Sequence, residues 1–311
     1  MRLCIVIVNY RTPGLVLDAL ESLNGQLEAG LDQVVVVDNA SGDDSADRIE
    51  HAIAARGLAS FCRVIRSPRN GGFSAGNNVG IRAADASYYL LLNSDTIVRE
   101  RAIPGLLAEM EAHPEIGIAG PRLEWPDGSA QISCFRDHTP LSEFLVAAKT
   151  GPITALLNTF EVPLPVTDEV IEAQWVSFAC VVIRREVVEK IGLLDEGYFM
   201  YFEDSDYCRA ARAVGFRIGY FPSARVVHLR GGTSDVKKRL AARRRPPRYL
   251  YVSRARYFRK GYGVVGLWTA NALWQLGRVV SLGRELVGHK LPHTCDKEWL
   301  DNWTDTFRLQ S

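Results

Sequence analysis

The sequence predicts an α/β protein, a mostly parallel sheet flanked by helices, with a helical appendage at its C-terminal end. Three observations predict it. Over the first 120 residues, short apolar runs alternate with segments whose apolar residues recur at helical spacing, the signature of repeated βα units with right-handed crossovers. Several of those runs end in polar clusters, which lines up polar side chains along one edge of the sheet. Beyond residue 234 the chain turns basic and then apolar, which marks a boundary. With 311 residues, 47% hydrophobic and 23% charged, the chain suffices for one large domain with an appendage and is too apolar for disorder.

Residues 3–8 form a wholly apolar run, as in a strand covered on both faces. Thr12 and Pro13 then open a helix, with Val16, Ala19, Leu20 and Leu23 at helical spacing. Residues 34–37 read as a second strand ending at Asp38, 45–56 as a helix, 63–65 as a weak third strand and 75–84 as a short helix. Residues 88–92 read as a fourth strand that ends at Asn93-Ser94-Asp95, followed by a helix over 103–113 and a strand over 116–119. The pattern then changes. Residues 122–135 resemble a hairpin around Pro126-Asp127-Gly128, 136–170 carry no clear period, and 175–183 read as one apolar strand. Residues 204–214 form a helix stopped by Gly215, and 218–221 and 225–228 two short strands. Two units result: 1–235, with a first half over 1–120 and a second over 121–235, and a basic, amphipathic helical region over 236–311.

Net charge is +1, so any electrostatic signal is local: residues 237–260 are strongly basic, with Arg243, Arg244 and Arg245 consecutive. That block is followed over 261–283 by a largely apolar stretch containing Trp268 and Trp274. Asn271, Gln275, Arg278 and several glycines argue against a spanning helix, leaving surface attachment to an anionic membrane or packing on the main domain, of which attachment is favoured. No nucleic-acid fold accompanies the block, so no nucleic-acid partner is expected. The six cysteines lack CxxC spacing, which argues against a zinc cluster and suits a reducing compartment. The first apolar run reads as a strand rather than a signal peptide, so a cytoplasmic location is expected.

The chemistry should lie just after the strands. The loop Asn9-Tyr10-Arg11-Thr12-Pro13-Gly14 is not the Gly-x-Gly-x-x-Gly of a nicotinamide-binding turn, which argues against an oxidoreductase, and it lacks the glycine richness of a nucleotidyltransferase's basic loop. Asp38 is either a ribose or base ligand or the start of a turn with Asn39, Ser41 and Gly42. The segment Asn70-Gly71-Gly72-Phe73-Ser74-Ala75-Gly76-Asn77-Asn78 lets backbone approach a ligand closely. Asp95, at a buried strand's end, suits Mg²⁺ or Mn²⁺ completed by substrate phosphates. Glu203, Asp204 and Asp206 open a helix, where acids favour the dipole; preceded by Tyr198, Phe199, Tyr201 and Phe202, one of them could instead be a general base. His228, before Gly231-Gly232, is a structural histidine or a metal ligand.

Together these motifs resemble the family 2 glycosyltransferases, which have the GT-A fold, a Rossmann-like arrangement. The resemblance runs from about residue 3 to 232 through Val8-Asn9-Tyr10, Val37-Asp38-Asn39-Ala40-Ser41, Asn70-Gly71-Gly72-Phe73, Leu92-Asn93-Ser94-Asp95, Gly192-Leu193-Leu194-Asp195-Glu196, Phe202-Glu203-Asp204-Ser205-Asp206 and Val227-His228, in that order. It is nearest to bacterial rhamnosyltransferases of cell-surface polysaccharide assembly. It implies an inverting, metal-dependent hexosyltransferase that takes a nucleoside diphosphate sugar, dTDP-rhamnose first, to a lipid-linked or polysaccharide acceptor at the inner face of the cytoplasmic membrane. Galactofuranose, glucose or an N-acetylhexosamine are the alternative sugars; a sugar nucleotidyltransferase and a catalytically silent nucleotide-sugar binder are the alternatives of other classes. Residue by residue, it implies that Asn9, Tyr10, Arg11, Asp38, Asn70, Gly71, Gly72, Phe73, Asn77, Asn93, Ser94 and Asp95 bind the nucleotide sugar. Asp95 and His228 would hold the metal, with Asn93-Ser94-Asp95 in place of the family's Asp-x-Asp. Asp204 would be the base, with Glu203 second, and Trp175 and Asp206 would lie near the donor sugar or acceptor. Ser177-Phe178-Ala179 stands where the family pattern has a turn of small residues.

Overall fold

The computed structural model describes residues 1–229, 236–288 and 292–307. Among the described residues, eleven strands and eleven α-helices make an α/β fold with a long C-terminal helix. The strands are β1 (Leu3–Asn9), β2 (Asp32–Asp38), β3 (Cys62–Arg66), β4 (Tyr88–Asn93), β5 (Thr96–Val98), β6 (Ile116–Glu124), β7 (Cys134–Phe135), β8 (Ile171–Ala173), β9 (Trp175–Val176), β10 (Cys180–Arg184) and β11 (Arg217–His228). The helices are α1 (Pro13–Ser22), α2 (Ser45–Ala55), α3 (Gly72–Arg82), α4 (Ala102–Ala112), α5 (Pro140–Ala148), α6 (Gly151–Leu156), α7 (Arg185–Ile191), α8 (Glu203–Ala213), α9 (Val236–Ala241), α10 (Arg248–Gly288) and α11 (Glu298–Asp301).

The main sheet runs β3-β2-β1-β4-β10-β6-β11-β5, with β8 on β11. The first four strands pair in parallel, with the apolar runs of β1, β2 and β4 buried between helices and β3 half-exposed at the sheet edge. The second half departs from the parallel pattern: β10, supplied by a later segment, inserts between β4 and β6 and is antiparallel to both. Helix α3 lies close on β1 because Gly76 and Gly80 face it; a Cβ there would come within 2.8 Å of Val8 and 2.3 Å of Val6.

Three readings of the sequence are corrected. The run 175–183 is two strands, β9 in a small second sheet and β10 in the main one, because Ser177-Phe178-Ala179 turns the chain between sheets while staying apolar enough to hide the break. The runs 218–221 and 225–228 belong to one strand, β11, whose register on β6 slips between Phe221 and Arg225. The expected helix over 75–84 begins at Gly72, so most of the glycine–asparagine loop forms the first two turns of α3.

The unreadable stretch 136–170 contains α5, opened by a reciprocal Thr139–Ser142 capping box. This helix is what α10 packs against. The Arg254 guanidinium is buried on Glu143 at 2.8 Å and donates to Asn271 at 2.7 Å, and Gly277 faces the Phe144 carbonyl so closely that a Cβ would sit 2.4 Å from it. Helix α10 turns at Gly263 (φ 71°), which separates its basic, aromatic first part from its apolar second part. All six cysteines are free and buried.

Candidate active site

A cleft of about 480 Å³ opens beyond the carboxyl ends of β1, β2 and β4, where open α/β sheets hold ligands. Its floor comes from strand ends. Tyr10 follows β1, Asn39 follows β2, Asn70 precedes α3 and Gly72 and Phe73 open it, and Asn93 ends β4 with Ser94 and Asp95 just beyond. The opposite wall is Ser177-Phe178-Ala179, Phe199-Met200-Tyr201, Glu203, Asp204 and His228. Arg239, Pro247 and Tyr249 from the C-terminal region complete it.

Polar side chains brace the floor. The buried Asp38 carboxylate accepts from Asn9 Nδ2 at 2.7 Å and Ser41 Oγ at 2.5 Å, and from the Ser41 backbone N–H at 3.2 Å. Asn39 Nδ2 donates to Asn70 Oδ1 (3.0 Å) and to the Gly72 carbonyl (2.9 Å), tying the end of β2 to the start of α3. Arg11 donates to the Ser41 carbonyl at 2.8 Å and lies 5.3 Å from the centre of the Tyr10 ring. Gly72 adopts φ +85° and receives the loop before α8 so tightly that a Cβ would lie 2.0 Å from the Phe199 carbonyl oxygen, to which the Phe73 N–H donates at 2.7 Å. Only glycine meets both demands.

Asp95 and His228 stand far apart in sequence and meet through sheet register. Strand β11 pairs antiparallel with β5, setting His228 opposite Thr96, and the Leu229 N–H donates to the Asp95 carbonyl at 2.9 Å. His228 Nε2 is then 3.5 Å from Asp95 Oδ1, both residues buried. His228 Nδ1 has no hydrogen-bond partner among the described residues. No group of three or more His, Cys, Asp or Glu suited to a metal occurs among the described residues. One carboxylate and one imidazole fit a divalent ion only where substrate phosphate and water complete the shell, the habit of Mg²⁺ and Mn²⁺.

Tyr201 and Phe202 take consecutive left-handed conformations (φ 72° and 70°) and aim the first turn of α8 at the cleft. Burial raises the Asp204 carboxyl to about 6, against the pull of backbone N–H groups of Ser205 and Phe178. Burial pushes the Glu203 carboxyl well above the usual range, and the Asp204 charge adds to it. A carboxyl titrating near neutrality in a cleft is equipped to take a proton.

Several expected site residues stand elsewhere. Asn9 and Asp38 lie beneath the floor, bonded to each other. Arg11 and Gly71 flank it, and Asn77 is buried in α3, donating to the Phe73 carbonyl at 2.9 Å. Trp175 stacks on Phe135 at 3.9 Å and donates to the Arg136 carbonyl, away from the cleft lining. Asp206 points to the other side of α8, where it binds Lys260. Met200, Arg239, Pro247 and Tyr249 also line the cleft, and none of them stands in a motif that points to it. Arg239 belongs to the basic block that the sequence shows, a signal that could have marked this segment. Gly231-Gly232 lies outside the described residues.

The model of the family "Glycosyl transferase family 2" matches residues 4–192, more than half of the chain. The chain belongs to this family. Among curated family relatives, it is 26% identical over 230 residues to the low-salt glycan biosynthesis hexosyltransferase Agl10 of Haloferax volcanii, a match covering 73% of this chain and 66% of that protein. It is 27% identical over 211 residues to the N-acetylglucosaminyl-diphospho-decaprenol L-rhamnosyltransferase of Mycobacterium tuberculosis, covering 64% and 63%. The match therefore spans just under two thirds of each of these relatives. Of solved structures, the mannosyltransferase PcManGT of Pyrobaculum calidifontis, in complex with GDP-Man and Mn²⁺, superposes with a TM-score of 0.56 at 15% identity, covering 94% of this chain and 77% of that one. GalNAc-T7 with UDP, GalNAc and Mn²⁺ gives 0.60 at 16% identity, covering 98% and 54%. At these identities the likeness is one of fold.

Proposed function

We propose that the chain is a glycosyltransferase that moves a sugar from a nucleoside diphosphate sugar to an acceptor hydroxyl. The observation that carries this reading is the meeting, in one cleft, of the strand-end floor around Asn39, Asn70 and Asp95 with a carboxyl of raised affinity for protons, Asp204. The nucleotide lies on the floor, and the acceptor enters along the wall formed by residues 177–179 and 199–204.

Asp204 takes the proton of the acceptor hydroxyl as that oxygen bonds to the anomeric carbon. The bond from that carbon to the diphosphate breaks, the nucleoside diphosphate leaves, and one displacement inverts the configuration. Asp95 and His228 would hold Mg²⁺ or Mn²⁺, which supplies positive charge against the leaving diphosphate. Glu203, beside Asp204 and more reluctant to ionise, keeps the local charge low.

The similar proteins include a hexosyltransferase, a mannosyltransferase bound to GDP-Man and GalNAc-T7 bound to UDP and GalNAc. That spread favours a hexose or N-acetylhexosamine donor over dTDP-rhamnose, which stands as the second reading on the strength of the Mycobacterium tuberculosis relative. An acceptor carried on a lipid is supported by a second cavity of about 590 Å³ lined by Leu145, Val146, Phe160, Val162 and Trp274, which shares α9 with the first: Arg239 lines one and Leu240 the other. The composition changes near residue 235, and the region beyond it contributes Arg239, Pro247 and Tyr249 to the same cleft.

Attachment to an anionic membrane surface is part of the same reading. Past its kink, α10 exposes Val265, Trp268, Leu276, Val279, Leu286 and Val287. The charged residues of that stretch are Arg278 and Glu285, paired at 2.7 Å, and Arg284, which donates to the Lys149 carbonyl. An exposed apolar face beside a basic segment suits a helix lying in the lipid interface. No helix of the described residues is long and apolar enough to cross a membrane.

The test is release of nucleoside diphosphate from UDP-, GDP- and dTDP-sugars with Mn²⁺ and a panel of glycan and lipid-linked acceptors. Acceptor-dependent release from one donor supports the reading; release from none, with nucleoside triphosphates bound instead, rejects it. For attachment, flotation with anionic liposomes should recover the intact chain, and Val265→Asp with Leu276→Asp should lose it; retention by that variant argues against the face.

A further inference from the structure

The loop that aims Asp204 is gripped from behind by the first part of α10. Ser253, Arg256 and Lys260 stand at i, i+3 and i+7, so they share one helical face. Ser253 Oγ donates to the Met200 carbonyl at 3.0 Å. The Arg256 guanidinium holds both oxygens of Asp195, at 2.8 and 3.0 Å. Lys260 Nζ reaches Asp195 at 3.2 Å and Asp206 at 2.5 Å. Both cations lie against the Tyr198 ring, 5.6 and 5.9 Å from its centre, and Tyr198 is fully buried. Two carboxylates thus face two cations around a buried aromatic, at the two ends of the segment 195–206.

Between those ends sit Tyr201 and Phe202, whose left-handed backbones persist only where the surroundings over-determine them. Their rings are covered by the same helix. Tyr249 lies 5.2 Å from Phe199 and 6.5 Å from Tyr201, and Tyr257 lies 5.5 Å from Phe202. Asp204 and Asp206 are two residues apart on α8 and face opposite sides, one to the cleft and the other to Lys260. A pull on Asp206 therefore sets the direction in which Asp204 points.

We infer that Ser253, Arg256 and Lys260 are positioning residues of the transfer reaction: through Asp195, Met200 and Asp206 they hold the strained segment 198–204 in the one conformation that presents Asp204 to the acceptor. The C-terminal helix is on this account a working part of the catalytic unit. The inference rests on the transferase reading for its consequence and on geometry alone for the clamp.

In the full chain, Lys260→Met should lower turnover about 10- to 100-fold, as a small misplacement of a reacting group does. Donor affinity should be unchanged, because the floor residues are untouched, and Lys260→Arg should retain most of the turnover. Backbone amides of residues 196–206 should exchange with deuterium faster in Lys260→Met and in Arg256→Met. Unchanged turnover in a folded Lys260→Met protein, or a loss confined to the donor KM, would overturn the inference. Should both charge variants fail to fold, Ser253→Ala removes one hydroxyl and no charge, and slow exchange across 196–206 in it would overturn the inference equally. If the wild-type chain transfers no sugar, the transferase reading falls, and the exchange measurement still decides whether the clamp exists.

Discussion

The two walls of the cleft are held in place by different means. The floor at the ends of β1, β2 and β4 is a product of local chain order: each strand runs into its polar cluster, neighbouring clusters meet because the strands are parallel and in register, and short hydrogen bonds such as Asn9–Asp38 and Asn39–Asn70 finish the work. The wall carrying Asp204 has local turn bonds of its own, such as Tyr198 N–H to the Asp195 carbonyl, but draws on distant parts of the chain as well. It stands on a pair of left-handed residues, on the narrow space above Gly72, and on side chains of a helix some fifty residues downstream. The floor is made rigid by regular structure, whereas the catalytic wall is made rigid by distant contacts, so the two should fail differently when perturbed.

Asp204→Asn should produce the largest effect, a loss of turnover of about 10²- to 10⁴-fold, the range for removing a general base, with donor binding kept. Loss of donor binding in that variant would mean that the wall holds the nucleotide, and the contrast would break. Next comes Gly72→Ala, the residue where floor and wall touch. A Cβ in a left-handed backbone, meeting the Phe199 carbonyl, should destabilise the fold by about 3 kcal/mol in urea titration. A near-neutral result would mean that the 198–204 segment adjusts freely. Asp95→Ala should weaken donor affinity about 10-fold in Mn²⁺, leaving the metal-free affinity as it was.

The smallest effect sharpens the electrostatic side of the comparison. The Asp204 carboxyl, raised to about 6 by burial, binds its proton more tightly in the folded chain than in the unfolded one. Its contribution to stability is full below the ordinary carboxylate range and is lost as pH rises through about 6. Asp204→Asn should therefore melt higher than wild type in mildly alkaline buffer and level with it in acid. The same protonation should make turnover fall on the acid side through that range, read from a pH–rate profile; a flat profile would remove Asp204 from the proton transfer.

The sequence was most legible where local pattern decides structure. Apolar runs gave β1 to β4, and their polar ends gave the floor. The Asp95 and His228 motifs were visible singly; the β5–β11 register that joins them was not, because no local period encodes a pairing across so long a separation. The break between β9 and β10 was hidden by Phe178, an apolar residue at a turn, buried against Tyr207. The Thr139–Ser142 capping box was a legible start for α5 within the stretch that periodicity left blank. Of the cations in the C-terminal basic block, Arg254, Arg256 and Lys260 face Glu143, Asp195 and Asp206 within the fold, which composition alone does not reveal. Composition reports that cations are present; only the fold reports which carboxylates they face.

The most direct test of the account is calorimetric titration of the wild-type chain with UDP-, GDP- and dTDP-sugars, with and without Mn²⁺, repeated on Asp204→Asn. The account predicts that one nucleotide sugar binds in a metal-dependent manner and that Asp204→Asn binds it equally well while failing to transfer it. Metal-independent binding of nucleoside triphosphates, or loss of donor binding together with turnover in Asp204→Asn, would contradict it.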